Sequence, residues 1–162
     1  MILSADQIAI RDAAFDFAQA EIAPFAAEWE RAATGVPEAV LARMGEQGYF
    51  GMLVPEHLGG TSLDMVSYAL VTEEFAAADC GICNLMNASN SPVCAAIRDY
   101  GTDAQHERFL KPLASGRMRA CFLLTEAEAG SDAAAIKTLA VRDGNGYVLN
   151  GSKQFCTGGQ SA

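Results

Sequence analysis

Basic side chains are scarce: 11 Lys and Arg stand against 20 Asp and Glu, for a net charge of −9. Residues 1–118 hold the excess, with 16 acidic and 7 basic side chains, while 119–162 carry 4 of each. Such a surface repels a phosphate backbone, which argues against nucleic-acid binding. No apolar run approaches the roughly 20 residues that cross a bilayer, so no membrane span is expected. The stretch Met1–Asp6 places no basic region ahead of an apolar one, so no secretory leader is read there. Only two histidines occur, His57 and His106, without ligand-spaced partners, so both are expected at the surface and no metal site is assigned. Internal repeats and low-complexity tracts are also missing. What remains, at 162 residues and 51% hydrophobic, is enough for one sizeable core plus part of a second domain, in a cytoplasmic protein.

Cysteine is present but odd in number: Cys80, Cys83, Cys94, Cys121 and Cys156. Without a secretory signal this argues for reduced thiols. Cys80-Gly-Ile-Cys83 has the spacing of thiol redox motifs, which normally follow a strand at a helix start. Here a helical pattern precedes it, and no second pair completes a zinc site. Both cysteines are therefore expected as small buried apolar side chains.

The first three-quarters of the chain reads as helices. Ser4-Ala-Asp-Gln7 is a capping box, and Ile8, Phe15, Ile22 and Trp29, with Ala18, Phe25 and Ala26, form an apolar stripe to about Arg31. Pro24 is expected to kink that helix. Pro37 fits a first helical position, opening a second helix through about Gln47. Gly48–Gly60 is irregular. A third helix begins at Ser62 with Asp64 and runs through Ala78; a fourth covers roughly Cys83–Tyr100, interrupted near Pro92. A fifth opens on the capping box Thr102-Asp-Ala-Gln105 and ends before Gly116.

After Gly116 the period shortens. Ala120–Leu124 is expected as a buried strand, and Leu139 and Val141 alternate with polar or small neighbours. Asp143-Gly-Asn-Gly146 is turn chemistry, and Tyr147–Leu149 resumes extended structure. The expected class is α+β: an all-α domain of about five helices over 1–118, then the first strands of an incomplete β-barrel domain over 119–162.

Three segments resemble the acyl-CoA dehydrogenases. Leu53-Val-Pro-Glu-His-Leu-Gly-Gly60 is similar to the family's "vPeeyGG" loop. Leu124-Thr-Glu-Ala-Glu-Ala-Gly-Ser-Asp132 resembles its TEPGAGSD flavin loop, and Asn150-Gly-Ser-Lys-Gln-Phe-Cys-Thr-Gly-Gly159 its NGxKxWITNG segment. Their order and spacing, after five helices, match the family. The resemblance implies FAD as cofactor, with Phe122, Leu124, Thr125, Gly130 and Ser131 lining it. Thr125 is placed on the ring, and Ser131 toward the pyrophosphate and the substrate. Phe155, Cys156 and Thr157 match Trp-Ile-Thr, an aromatic beside the isoalloxazine and a hydroxyl near its reactive nitrogen. Asn87, Asn90 and Ser91 are read as the floor of the acyl pocket.

The implied reaction is α,β-desaturation of an acyl-CoA thioester, with electrons passing to an electron-transferring flavoprotein from a dimer or tetramer. The base usually comes from a carboxy-terminal helical domain, so no catalytic residue is assigned here and the chain by itself is expected to be inactive. Departures from the pattern include Ala127 for proline, Glu128 for glycine, where a positive φ would be blocked, Phe155 for tryptophan, and Gly158 for asparagine. Two other readings stand beside this one: a non-catalytic helical interaction module, and a thiol redox protein using Cys80 and Cys83. Without the third segment, TEAEAGSD is equally a polar surface loop between strands.

Overall fold

A computed structural model describes residues 2–162; Met1, where the leader reading begins, lies outside them. Helix α1 (Ala5–Glu21) starts on the expected capping box, with Ser4 Oγ accepting from the Gln7 amide and Gln7 Oε1 from the Ser4 amide, both at 3.1 Å. It does not kink at Pro24 but ends before it. A turn over 22–25 separates it from α2 (Ala26–Ala32), in keeping with the amide proton that proline lacks. The buried face matches the expected stripe at Ala18 and Ile22 but not throughout. Ala14, Ala18 and Ile22 are fully buried, whereas Ile8 and Phe15 are exposed. Small residues let α1 lie close against α4 (Met65–Ala78), with Phe17 the large side chain at that contact.

Helix α3 (Glu38–Glu46) has Pro37 as its N-cap in extended conformation, one position earlier than expected. The loop after it closes on itself through amide bonds from Thr61 to Gly51 O (3.0 Å), Ser62 to Val54 O (3.0 Å) and Leu63 to Met52 O (2.7 Å). Gly60 is required there, because a Cβ would lie 2.1 Å from Val54 O. Asp64 caps α4, accepting from the amides of Val66 and Ser67. Asp79 ends α4 and caps α5 (Cys80–Ala88), which begins three residues earlier than the sequence suggests. After a π-helical stretch (Ser89–Cys94), α6 runs over Ala95–Tyr100. The interruption falls at Ser91 (φ −147°, ψ 117°), because a residue preceding proline is driven out of the helical region. The second capping box forms at Thr102 and opens α7 (Asp103–Gln105), which continues through His106–Leu110 into α8 (Lys111–Ala114).

The core is centred on an aromatic group. Phe17, Tyr49 and Phe75 pack at centroid distances of 4.7–5.8 Å, with Met44, Met52 and Met86 filling the gaps between them. Burial pushes the Tyr49 phenol up to about 12. A smaller cluster of Val54, Val93, Cys94, Leu110 and Leu113 ties the loop to the last helices.

Beyond Gly116 the expected strand over Ala120–Leu124 does not form. The segment has no regular secondary structure, and Phe122, Leu123 and Leu124 are exposed. Ala120 packs on the smaller core cluster, and Leu124 O is met by a side chain rather than by a ladder partner. Strands β1 (Leu139–Asp143) and β2 (Gly146–Asn150) form the expected antiparallel hairpin, with Val141 opposite Val148, and both are exposed along their length. The architecture is thus helical with a small two-stranded sheet.

Candidate flavin site

The flavin-loop residues and the 150–159 segment lie side by side. The Gln154 amide donates to Thr125 O at 2.9 Å, and Lys153 Nζ to Leu124 O at 2.8 Å. Between them Glu126–Ala129 forms a tight turn, closed by Glu126 N to Ala129 O (3.0 Å) and Ala129 N to Glu126 O (3.2 Å). The Glu126 carboxylate, almost fully buried, accepts from Lys153 Nζ (2.8 Å) and from the amides of Lys137 (2.7 Å) and Thr138 (2.9 Å). The Lys153 bond, with Thr138 and Lys137 after it, holds this carboxyl down at about 2. Gly151 lets β2 leave the hairpin. At φ 156°, a Cβ there would stand 2.2 Å from Thr138 Oγ1, an atom that is buried without a partner.

The site residues sort into three groups. Gly130 and Ser131 are exposed at the open side of the turn, where a Cβ on Gly130 would meet nothing within 4 Å. Thr125 is half-buried, and its hydroxyl makes no hydrogen bond among the described residues. Phe155, Cys156 and Thr157 line an open cleft of about 1180 Å³ together with Leu123, Gly81 and Leu85. Phe155 is 88% exposed and sits at φ 57°, an uncommon conformation for a bulky side chain. Thr157 is tied to α5, its Oγ accepting from Asn84 Nδ2 at 2.9 Å.

The expected pocket floor lies deeper. Asn90 is fully buried, donating to Tyr49 O (2.7 Å) and Met86 O (3.0 Å) and accepting from the Leu53 amide (3.3 Å). Asn87 accepts from the Tyr68 hydroxyl (2.7 Å) and the Thr72 hydroxyl (3.3 Å). Ser91 is exposed. None of these three lines the cleft against Phe155–Thr157; Leu85, on the same helix, does. Sequence reasoning passed over Asn84, Leu85, Glu126 and Lys153. Asn84 carried a faint signal, one helical turn before Asn87. The Glu126–Lys153 pair carried none, because the partners are far apart along the chain.

Glu128 is not among the positive-φ residues, as its side chain was expected to require, and it pairs at the surface with Lys137. Two sequence-level expectations are corrected here. Cys80 is exposed rather than buried, as the first residue of α5, whereas Cys83 is buried with its thiol donating to Thr72 O at 3.4 Å. Burial raises the Cys83 thiol, and drives Cys94 up to about 11. His57 is exposed, while His106 is half-buried with Nε2 3.0 Å from Ile97 O. No described helix is long and apolar enough to cross a membrane.

Comparison with known proteins gives these segments a common context. Residues 4–117 match the acyl-CoA dehydrogenase N-terminal domain, and residues 121–162 match the middle domain of the same family. The mitochondrial isobutyryl-CoA dehydrogenase of Dictyostelium discoideum is 37% identical over 97% of this chain and 37% of its own length. A caffeyl-CoA reductase-Etf complex subunit of Acetobacterium woodii is 36% identical over 97% of this chain and 41% of its own. A glutaryl-CoA dehydrogenase from Mycobacterium smegmatis, solved in complex with FADH2, superposes with a TM-score of 0.92 at 31% identity, over 98% of this chain and 40% of that one. The chain therefore spans less than half the length of the relatives it matches. With both domain matches in sequence order on a helical domain that leads into a β hairpin, the chain belongs to the acyl-CoA dehydrogenase family.

Proposed function

We propose that this chain supplies the amino-terminal wall of an FAD-dependent acyl-CoA dehydrogenase, acting in the cytoplasm as a homo-oligomer. The observation that carries the reading is the pairing of Leu124–Glu126 with Lys153–Gln154, which sets the two family segments against each other. The residues suit a flavin: an exposed aromatic, a threonine hydroxyl without a partner among the described residues, and a small-residue turn open to solvent. When bound, FAD supplies the acceptor for the hydride that leaves the β-carbon of the acyl thioester.

The chain's own residues bind and orient. Gly130 and Ser131 present backbone and hydroxyl donors to the pyrophosphate, a role small residues permit by letting the main chain approach closely. Phe155 would pack along the ring, with the exposed Leu124 and Phe122 offering further apolar surface to it. Because Thr157 Oγ already accepts from Asn84 Nδ2, its own proton is free to be donated outward, to the ring nitrogen that receives the hydride. Thr125 would offer its hydroxyl to another part of the ring, and Cys156 would line the cofactor beside Thr157. Toward the acyl group, Asn87 and Ser91 are the floor, and Asn90 supports that floor by fixing the backbone of Tyr49 and Leu53. None of the chain's carboxylates is assigned as the base. The Etf association in the name of the Acetobacterium relative supports an electron-transferring flavoprotein as the acceptor.

The test is anaerobic addition of a short acyl-CoA to the protein at its full natural length, reconstituted with FAD. Bleaching of the flavin absorbance with formation of the enoyl thioester is expected. A flavin that stays oxidised with every chain length and branching pattern refutes the activity.

A further inference from the structure

Glu126 and Lys153 are the most deeply buried ion pair among the described residues, with side chains 9% and 15% exposed. Burying two charges is costly unless each finds further hydrogen-bond partners, and here each does. Glu126 Oε2 takes the Lys137 amide, and Oε1 takes the Thr138 amide and Lys153 Nζ. Lys153 adds the Leu124 carbonyl. One carboxylate thereby joins three stretches distant in sequence: the turn at 126–129, the entry to β1, and the exit from β2. Lys153 lines the cleft beside Gln154–Thr157, whereas Glu126 does not. Thr125 adjoins Glu126 in the chain, and Gln154–Thr157 follow Lys153 directly.

We infer that Glu126 and Lys153 form an internal clamp that sets the spacing of Thr125 from Phe155–Thr157 before any cofactor arrives, which makes both positioning residues for the flavin. The last clause rests on the flavin reading above; the clamp itself does not. Three features support it. The hairpin is exposed on both faces, so it has no core to hold its ends in place. The strand that would otherwise carry Thr125 does not form, which leaves the Gln154–Thr125 bond and the clamp as its anchors. The neighbouring surface pair, Glu128 with Lys137, is well exposed and therefore a weak tether. The carboxyl held at about 2 keeps the clamp charged throughout the neutral range.

The experiment has two arms. In the first, amide exchange is followed residue by residue on the apo chain and on its E126Q, K153M and K153R variants. Protection at Lys137, Thr138 and Gln154 is expected to fall at least tenfold in E126Q and K153M and to recover in part in K153R. Amides of Met44 and Phe75 in the helical core should not change. In the second arm, the full-length protein carrying E126Q is titrated with FAD, and the visible spectrum and midpoint potential of the bound flavin are recorded. At least tenfold weaker binding is expected, with a shifted potential, a change that lost stability alone does not produce. Unchanged protection in E126Q overturns the clamp. Lost protection with unaltered FAD affinity and potential overturns the positioning role while leaving the flavin reading intact. A wild-type full-length protein that takes up no FAD overturns the flavin reading, and the positioning role with it, even where the first arm succeeds.

Discussion

Replacing Asn90 by alanine isolates one buried polar side chain whose bonds are all accounted for. Its amide donates to the carbonyls of Tyr49 and Met86, and its carbonyl accepts from the Leu53 amide. Met86 O also receives the helical Ser89 amide, so it retains a partner. Tyr49 O and Leu53 N make no other hydrogen bond among the described residues, and Asn90 is wholly inaccessible to water. Two backbone groups are therefore orphaned, at about 1–3 kcal/mol each, so the loss is at least about 2 kcal/mol. For a chain of this size that lowers Tm by roughly 8 °C, at about 4 °C per kcal/mol. The assay is urea unfolding followed by far-UV circular dichroism, with Asn87→Ala in parallel. Asn87 is half-buried, and the Tyr68 and Thr72 hydroxyls it accepts from can turn elsewhere; Thr72 already bonds Tyr68 O at 2.8 Å. Its loss should stay below about 1 kcal/mol. An Asn90→Ala chain that loses less than Asn87→Ala would show that the loop backbone does not depend on Asn90.

Three further outcomes follow. In the full-length protein, Thr157→Ala and Thr125→Ala should each cost about 1–3 kcal/mol of interaction, a tenfold to hundredfold effect; Thr157→Ala should act mainly on the rate of flavin reduction and Thr125→Ala on cofactor retention, and a double variant with normal flavin content and normal reduction would return TEAEAGSD to a plain surface loop. Because the folded Glu126 carboxyl lies at about 2, below its ordinary 4.5, its contribution is fully present above about pH 4.5 and is lost as pH falls toward 2; protection at the Thr138 amide should follow that window, and a loss already complete at neutral pH contradicts it. Thiol reagents should modify Cys80 rapidly and reach Cys83 and Cys94 only on unfolding; equal fast labelling of Cys80 and Cys83 would revive the redox-pair reading.

Where local chemistry decides the outcome, the sequence was readable. The capping boxes at Ser4 and Thr102, the Asp64 cap, the break at Ser91–Pro92 and the turn between β1 and β2 each depend on residues within a few positions of one another. The flavin segments were legible as motifs for the same reason. Three other features were not legible, two because they depend on partners far away in the chain and one because a single residue has two roles. Part of the buried face of α1 was decided by close approach to α4, which buried Ala14 beside the expected Ala18 and left Ile8 and Phe15 exposed. The start of α5 was hidden because Asp79 serves two helices at once, ending one and capping the next. Ala120–Leu124 has strand composition, yet a strand is a relation between two segments, and this one has no neighbour.

The exposed hairpin divides the molecule energetically. A two-stranded ribbon without a packed face is marginal by itself, so 139–150 should open locally at a fraction of the free energy that unfolds the helices. A thermal melt followed by helical signal is therefore silent about the hairpin that joins the two candidate cofactor segments. The converse also holds. A ligand that binds only the closed hairpin and loop stabilises that local state in proportion to the logarithm of its concentration over its Kd. Cofactor occupancy would then appear as slowed exchange at Thr138 and Gln154 while the helical transition stays where it was.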